Sequence, residues 1–221
     1  MISHAAVTLH RASCTVPRAR YHFTNMTENN LNRPSADDVL AFWFGTDAAR
    51  GDSRREWFRK DAQFDAGIRA RFLGLYEEAA RGALSHWQND TDSCLALIVV
   101  LDQFPRNMFR DSARAFATDP LALAAARHAL SHRFDSAMRP VERMFMYLPF
   151  EHSESLADQD LCAVLMQPLA AFTETRDIPI WAEKHRDIIA RFDRFPHRNA
   201  ALGRESTPEE LEFLKQPGSG F

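Results

Sequence analysis

Two short phrases in the chain carry matching side chains able to grip an anion. Asp102-Gln103-Phe104-Pro105-Arg106-Asn107 is echoed by Asp193-Arg194-Phe195-Pro196-His197-Arg198-Asn199. In both, Phe-Pro is followed by Arg and Asn, the second copy inserting His197. Arg offers a forked set of donors suited to carboxylate or phosphate, and Asn both donates and accepts. Pro lacks an N–H and restricts the residue before it, so each phrase is expected to close a helix and present its Arg and Asn there. Gln103, Arg106, Asn107, His197, Arg198 and Asn199 are therefore candidate contacts to a small anionic ligand or a peptide. The same residues equally suit a tie between two helix ends.

A third cluster is Tyr147-Leu148-Pro149-Phe150-Glu151-His152-Ser153-Glu154. If Pro149 breaks one helix and Ser153 begins the next, His152 lies on a turn beside a helix N-terminus, where free N–H groups favour anions. Histidine titrates near neutral pH and serves as a general acid or base. His152 is the candidate catalytic residue, with Glu154 or Glu142 to orient it and Ser153 as ligand contact or helix cap. The fourth candidate is His185, at helical spacing with Trp181, Ile188 and Phe192, either a satisfied core residue or a side chain facing a pocket. His152, Glu154 and His197 could ligate a metal by residue type alone, but no Cys/His spacing matches a zinc site. No metal and no cofactor is expected. Gly-rich phosphate loops, nucleophile elbows and dinucleotide fingerprints are missing from the sequence.

The elements that must position these residues all read with helical period. Ser35-Ala36-Asp37-Asp38 is a capping box before Val39, Leu40, Trp43 and Phe44, with Gly45 as the stop. A short helix over 54–60 follows. Phe64, Ile68, Phe72, Leu75 and Ala79 line one face of a long helix ending near Gly82. Asp90 or Thr91 starts a helix that runs to the first Phe-Pro. Asp119-Pro120 is an N-cap and first helical residue, Pro140 opens another helix and Pro149 ends it. The stretch 153–175 is helical with a kink or break at Pro168. Pro179 opens the helix to the second Phe-Pro, and Thr207 caps a last one. About nine helices in antiparallel hairpins make an all-α domain over 34–215.

At 221 residues and 45% apolar content the chain has enough core for one domain. A formal net charge of -3 argues against nucleic-acid binding. The apolar run Cys94–Leu101 is far short of the ~20 residues of a membrane span. Three scattered cysteines, Cys14, Cys94 and Cys162, form no disulfide framework and suit a cytoplasmic protein. Residues 1–33 read as an extension with Arg and His but no acid before Glu28, and Met26 is the expected true start. The residues 216–221 read as a flexible tail.

Asp102–Asn107, Leu148–Glu154, Arg191–Asn199 and Leu202–Glu209, together with Val39-Leu40-Ala41-Phe42-Trp43-Phe44-Gly45, resemble the bacterial DUF924 family over residues 36–215. The resemblance implies an all-α fold of the tetratricopeptide-like superfamily and no established activity, substrate or cofactor. It marks Asp102 and adds Arg204 to the candidate ligand contacts. The family pattern carries Gly where this chain has Asp193. Three functions follow as alternatives: a binding module for a small anion or peptide, a hydrolase or lyase with His152 as acid/base, and a scaffold for protein–protein contact.

Overall fold

The computed structural model describes residues 33–46 and 50–220. The expected extension, its Met26 start and Cys14 lie outside them. All regular structure among the described residues is helical. The helices are α1 (Ala36–Phe44), α2 (Ala62–Ala80), α3 (Thr91–Ile98), α4 (Phe104–Met108), α5 (Asp119–Ser131), α6 (Pro140–Glu151), α7 (Leu156–Met166), α8 (Ile178–Phe192) and α9 (Pro208–Leu214).

Helix starts follow the sequence closely. Ser35 and Asp38 form the expected capping box, and Gly45 ends α1 at a positive φ of 86°. Asp90 caps α3, and Thr207 with Glu210 caps α9. These side chains satisfy N–H groups that the first turn leaves orphaned.

Past its first turn α3 is buried on every side, and burial continues into the following turn, Cys94 through Leu101, which is why this stretch is an unbroken apolar run rather than an amphipathic stripe. It packs on α1, α5 and α6. The alanine face of α5 (Ala122, Ala125, Ala126, Ala129) is fully buried. Trp43, Phe72, Phe104 and Phe145 make an aromatic centre beside it; Phe72–Phe104 centroids lie 4.9 Å apart and Trp43–Phe145 5.5 Å. From α5 onward successive helices pack in turn, α5 on α6, α6 on α7 and α7 on α8. A separate small cluster, Ile188, Ile189 and Phe195 with Phe192 and Phe213, holds the end of the domain. Cys94 and Cys162 are buried free thiols.

Helix ends differ from the proline-based expectation. Pro105 does not close its helix. α3 passes through a π-turn, Val99–Gln103, and continues as α4, with Phe104 N–H donating to Val99 C=O. The widened turn absorbs a ring that would otherwise strike the preceding carbonyls. Pro149 sits inside α6, whose residues are buried almost throughout. Packing of Phe145, Met146 and Phe150 outweighs one lost hydrogen bond. His152 is therefore the C-cap of α6, and Ser153 begins no helix; the N-cap of α7 is Ser155. Asp119 is likewise the first residue of α5 and not its cap, which is Thr118. α8 ends at Phe192 because Asp193 turns left-handed at φ 56°, before the second Phe-Pro is reached. Pro168 does break its stretch, where α7 gives way to a 3₁₀ turn over Gln167–Ala171.

Candidate functional site

The two phrases have unlike backbones, yet their arginines meet on one carboxylate. Arg106, projecting from α4, holds Asp119 through both terminal nitrogens, at 2.8 and 3.0 Å. Arg198, from the 3₁₀ turn Pro196–Arg198 after α8, reaches Asp119 Oδ2 at 3.3 Å. The Arg198 Nη1 also donates to the main-chain oxygen of His152 at 3.0 Å. Asp119 was expected to cap a helix; here it is the shared counter-charge of both corners.

His152 stands in the same cluster. Its Nδ1 lies 2.8 Å from Oδ1 of Asp102, whose side chain is fully buried in the π-turn. A carboxylate only accepts, so Nδ1 carries the proton. No other ring hydrogen bond forms, which leaves Nε2 without a partner among the described residues. Gln103 Nε2 donates to the other Asp102 oxygen at 2.6 Å, and Arg106 Nη1 donates to the Asp102 carbonyl at 2.7 Å. Burial opposes ionisation of Asp102, but the imidazolium that His152 becomes in acid, together with Arg106, outweighs it and holds the carboxyl below its ordinary range. Burial, aided by Arg106, lowers the pKa of His152 despite Asp102. The pair is thus a carboxylate and a neutral imidazole at neutral pH.

The remaining candidates divide. His197 adjoins the cluster: burial and then the charge of Arg198 and Arg106 push its pKa down to about 4. Glu154 does not orient His152. It accepts from both terminal nitrogens of Arg204, at 2.6 and 2.9 Å, and from the Phe195 N–H at 2.8 Å. Glu142 is also elsewhere, paired with Arg50 at 2.5 Å and accepting from the Arg139 N–H at 2.9 Å. Ser153 donates to Asp158 at 2.7 Å. Asn107 ties α4 to α2 through Asp65, and Asn199 joins Arg204, Ser206 and Glu210. His185 rides the buried face of α8, donating from Nδ1 to the Trp181 carbonyl at 2.8 Å, with Glu151 3.4 Å away. Burial pushes its pKa down to about 3. Trp181 itself is 44% exposed and off that face.

Asp119 and Glu151 join the cluster without being marked as participants by the sequence. Asp119 was hidden because Asp-Pro is such a strong helix-start signal. Glu151 is buried beside Asp102, and burial followed by that charge pushes its carboxyl up to about 8.

The model of a family described as "Bacterial protein of unknown function (DUF924)" matches residues 39–218. The chain belongs to the DUF924 family. This DUF924 chain is similar to the solved structure of a protein of unknown function, ATU0120, from Agrobacterium tumefaciens. Identity is 44%, with 81% of this chain and 96% of that chain covered, at a TM-score of 0.72. No curated protein matches the DUF924 chain. None of its described helices is long and apolar enough to cross a membrane. No group of three His, Cys, Asp or Glu among the described residues is set to hold a metal. Two open depressions of about 440 and 750 Å³ lie over residues 41–71. Their walls carry surface charges without a converging acid–base pair.

Proposed function

We propose that this chain carries an acid–base site centred on His152 that acts on a small anionic molecule, as a hydrolase or lyase would. The observation that supports it is the Asp102–His152 pair. A fully buried carboxylate fixes the Nδ1–H tautomer and leaves Nε2 as a base. In hydrolysis Nε2 would take a proton from water as it attacks, then return it to the leaving group. In elimination it would take a proton from carbon as the bond from the adjacent carbon to the leaving group breaks with its electron pair, then pass that proton to the leaving group. Asp102 stays ionised throughout and stabilises the transient imidazolium.

The test is a panel of small carboxylate and phosphate esters assayed with the wild type and His152→Gln. Loss of about 10²–10⁴-fold in turnover with an unchanged circular-dichroism spectrum is the expected result. Full turnover in His152→Gln would sink the reading. Scaffolding is the second reading, favoured by the complete engagement of Arg106 with Asp119 and of Asn107 with Asp65. It predicts that Arg106→Ala and Asn107→Ala lower stability and leave every small-molecule response unchanged.

A further inference from the structure

Arg198 has a buried donor edge with nothing on it. The residue is 5% exposed, and both of its hydrogen bonds run from Nη1. Nε is completely buried and has no hydrogen-bond partner. The faces of the guanidinium are taken, with Phe195 and Phe116 ring centroids at 4.4 and 4.8 Å. What remains is the side-on Nε/Nη2 fork. Elsewhere in this chain that same edge grips a carboxylate: Arg110 holds Asp65 at 2.6 and 2.9 Å, and Arg194 holds Glu210 at 2.6 and 2.7 Å.

We propose that the Nε/Nη2 edge of Arg198 is the anion clamp of this site, taking two oxygens of a ligand carboxylate or phosphate beside His152. The proposal deepens the acid–base reading by naming what holds the substrate. A buried guanidinium with unused donors carries a desolvation cost that a bidentate oxyanion removes. The carboxylate that accepts from it, Asp119, is shared with Arg106. Burial and then Arg106 lower the Arg198 pKa to about 10, with Asp119, Glu154 and Asp102 opposing. Access is narrow. The side chains of His152, Asp119, Arg106 and Glu154 keep 14, 19, 20 and 26% exposure around the cluster.

The experiment titrates the full chain with inorganic phosphate and, separately, acetate, following arginine Nε–H signals by ¹⁵N NMR. Wild type, Arg198→Lys and His152→Gln are compared. One Nε–H signal should shift saturably in wild type, and Arg198→Lys, which keeps charge but loses the fork, should bind at least about tenfold more weakly. Saturation by phosphate alone identifies a phosphate ligand, and saturation by acetate a carboxylate. Binding retained in His152→Gln, with no ester turned over even by the wild type, supports the clamp while rejecting the acid–base reading. No saturable shift with either anion, or undiminished binding in Arg198→Lys, overturns the clamp. Should Arg198→Lys fail to fold, wild-type crystals soaked in each anion give the answer: density on the Nε/Nη2 edge supports it, and an empty edge rejects it.

Discussion

Asp102 determines which nitrogen of His152 is available. With the carboxylate accepting from Nδ1, Nε2 is the free base. Asp102→Asn keeps the size but offers an amide N–H, which favours the opposite tautomer. The Nε2 position would then carry the proton, and base catalysis would fall by orders of magnitude. Imidazole ¹⁵N shifts should report the change directly, and an unchanged tautomer would refute it. Loss of the Asp102 charge also removes the group that favours imidazolium, so the His152 pKa should drop further. The pH–rate profile of the wild type follows from the same direction. The base form is already present at neutral pH, so activity should be flat there and decline only below the ordinary histidine range. Sequence could propose His152 by residue type and a turn-like neighbourhood. It could not supply Asp102 as the orienting acid, because residues 50 positions apart share no periodic signal. Glu142 and Glu154 were nearer in sequence, but each is committed to an arginine.

The elements explain why two similar phrases take different backbones. Arg106 is delivered by a rod that swells into a π-turn ahead of Pro105, and Arg198 by a 3₁₀ turn, Pro196–Arg198, after a left-handed cap. Proline tells the chain where an N–H is missing but not whether packing will tolerate that. In α3–α4 and α6 both sides are buried, and the helix continues. Caps were legible where the side chain itself makes the bond, as with Ser35, Asp90 and Thr207. Asp193 was legible in another way, since a position with Gly in the family pattern signals positive φ, and φ is 56° here. Asp193→Gly should therefore keep or raise stability, by up to about 1 kcal/mol. Asp193→Val should lower it by about 1–2 kcal/mol, since a β-branched residue fits this region poorly. Urea unfolding of both variants tests the cap; a stable Asp193→Val would mean that the turn is not held as described.

Across the whole molecule, burial fixes several groups in their neutral forms, and this sets how stability varies with pH. His185 and His197 have pKa values of about 3 and about 4, well below the usual 6.5. Above pH 6.5 they are neutral whether the chain is folded or not, and their contribution to stability is complete. As pH falls towards 4 the unfolded chain binds two protons that the folded chain refuses. Stability then drops by up to about 1.4 kcal/mol per pH unit for each histidine. Glu151 acts in the opposite sense. Its carboxyl is raised from 4.5 to about 8, so its contribution is complete below pH 4.5 and is lost as pH rises to about 8. Between 4.5 and 6.5 the two histidines outweigh the one carboxyl. Between 6.5 and 8 Glu151 acts against a flat histidine background. The melting temperature should thus peak near pH 6.5 and decline towards pH 8. Glu151→Gln, which mimics the protonated acid, should abolish the alkaline decline and leave the acid limb in place. A wild-type melting temperature that holds level or rises from pH 6.5 to 8 would show that Glu151 is ionised in the fold. It would then pair with His185, 3.4 Å away, and the buried heart of the site would hold an ion pair instead of two neutral groups.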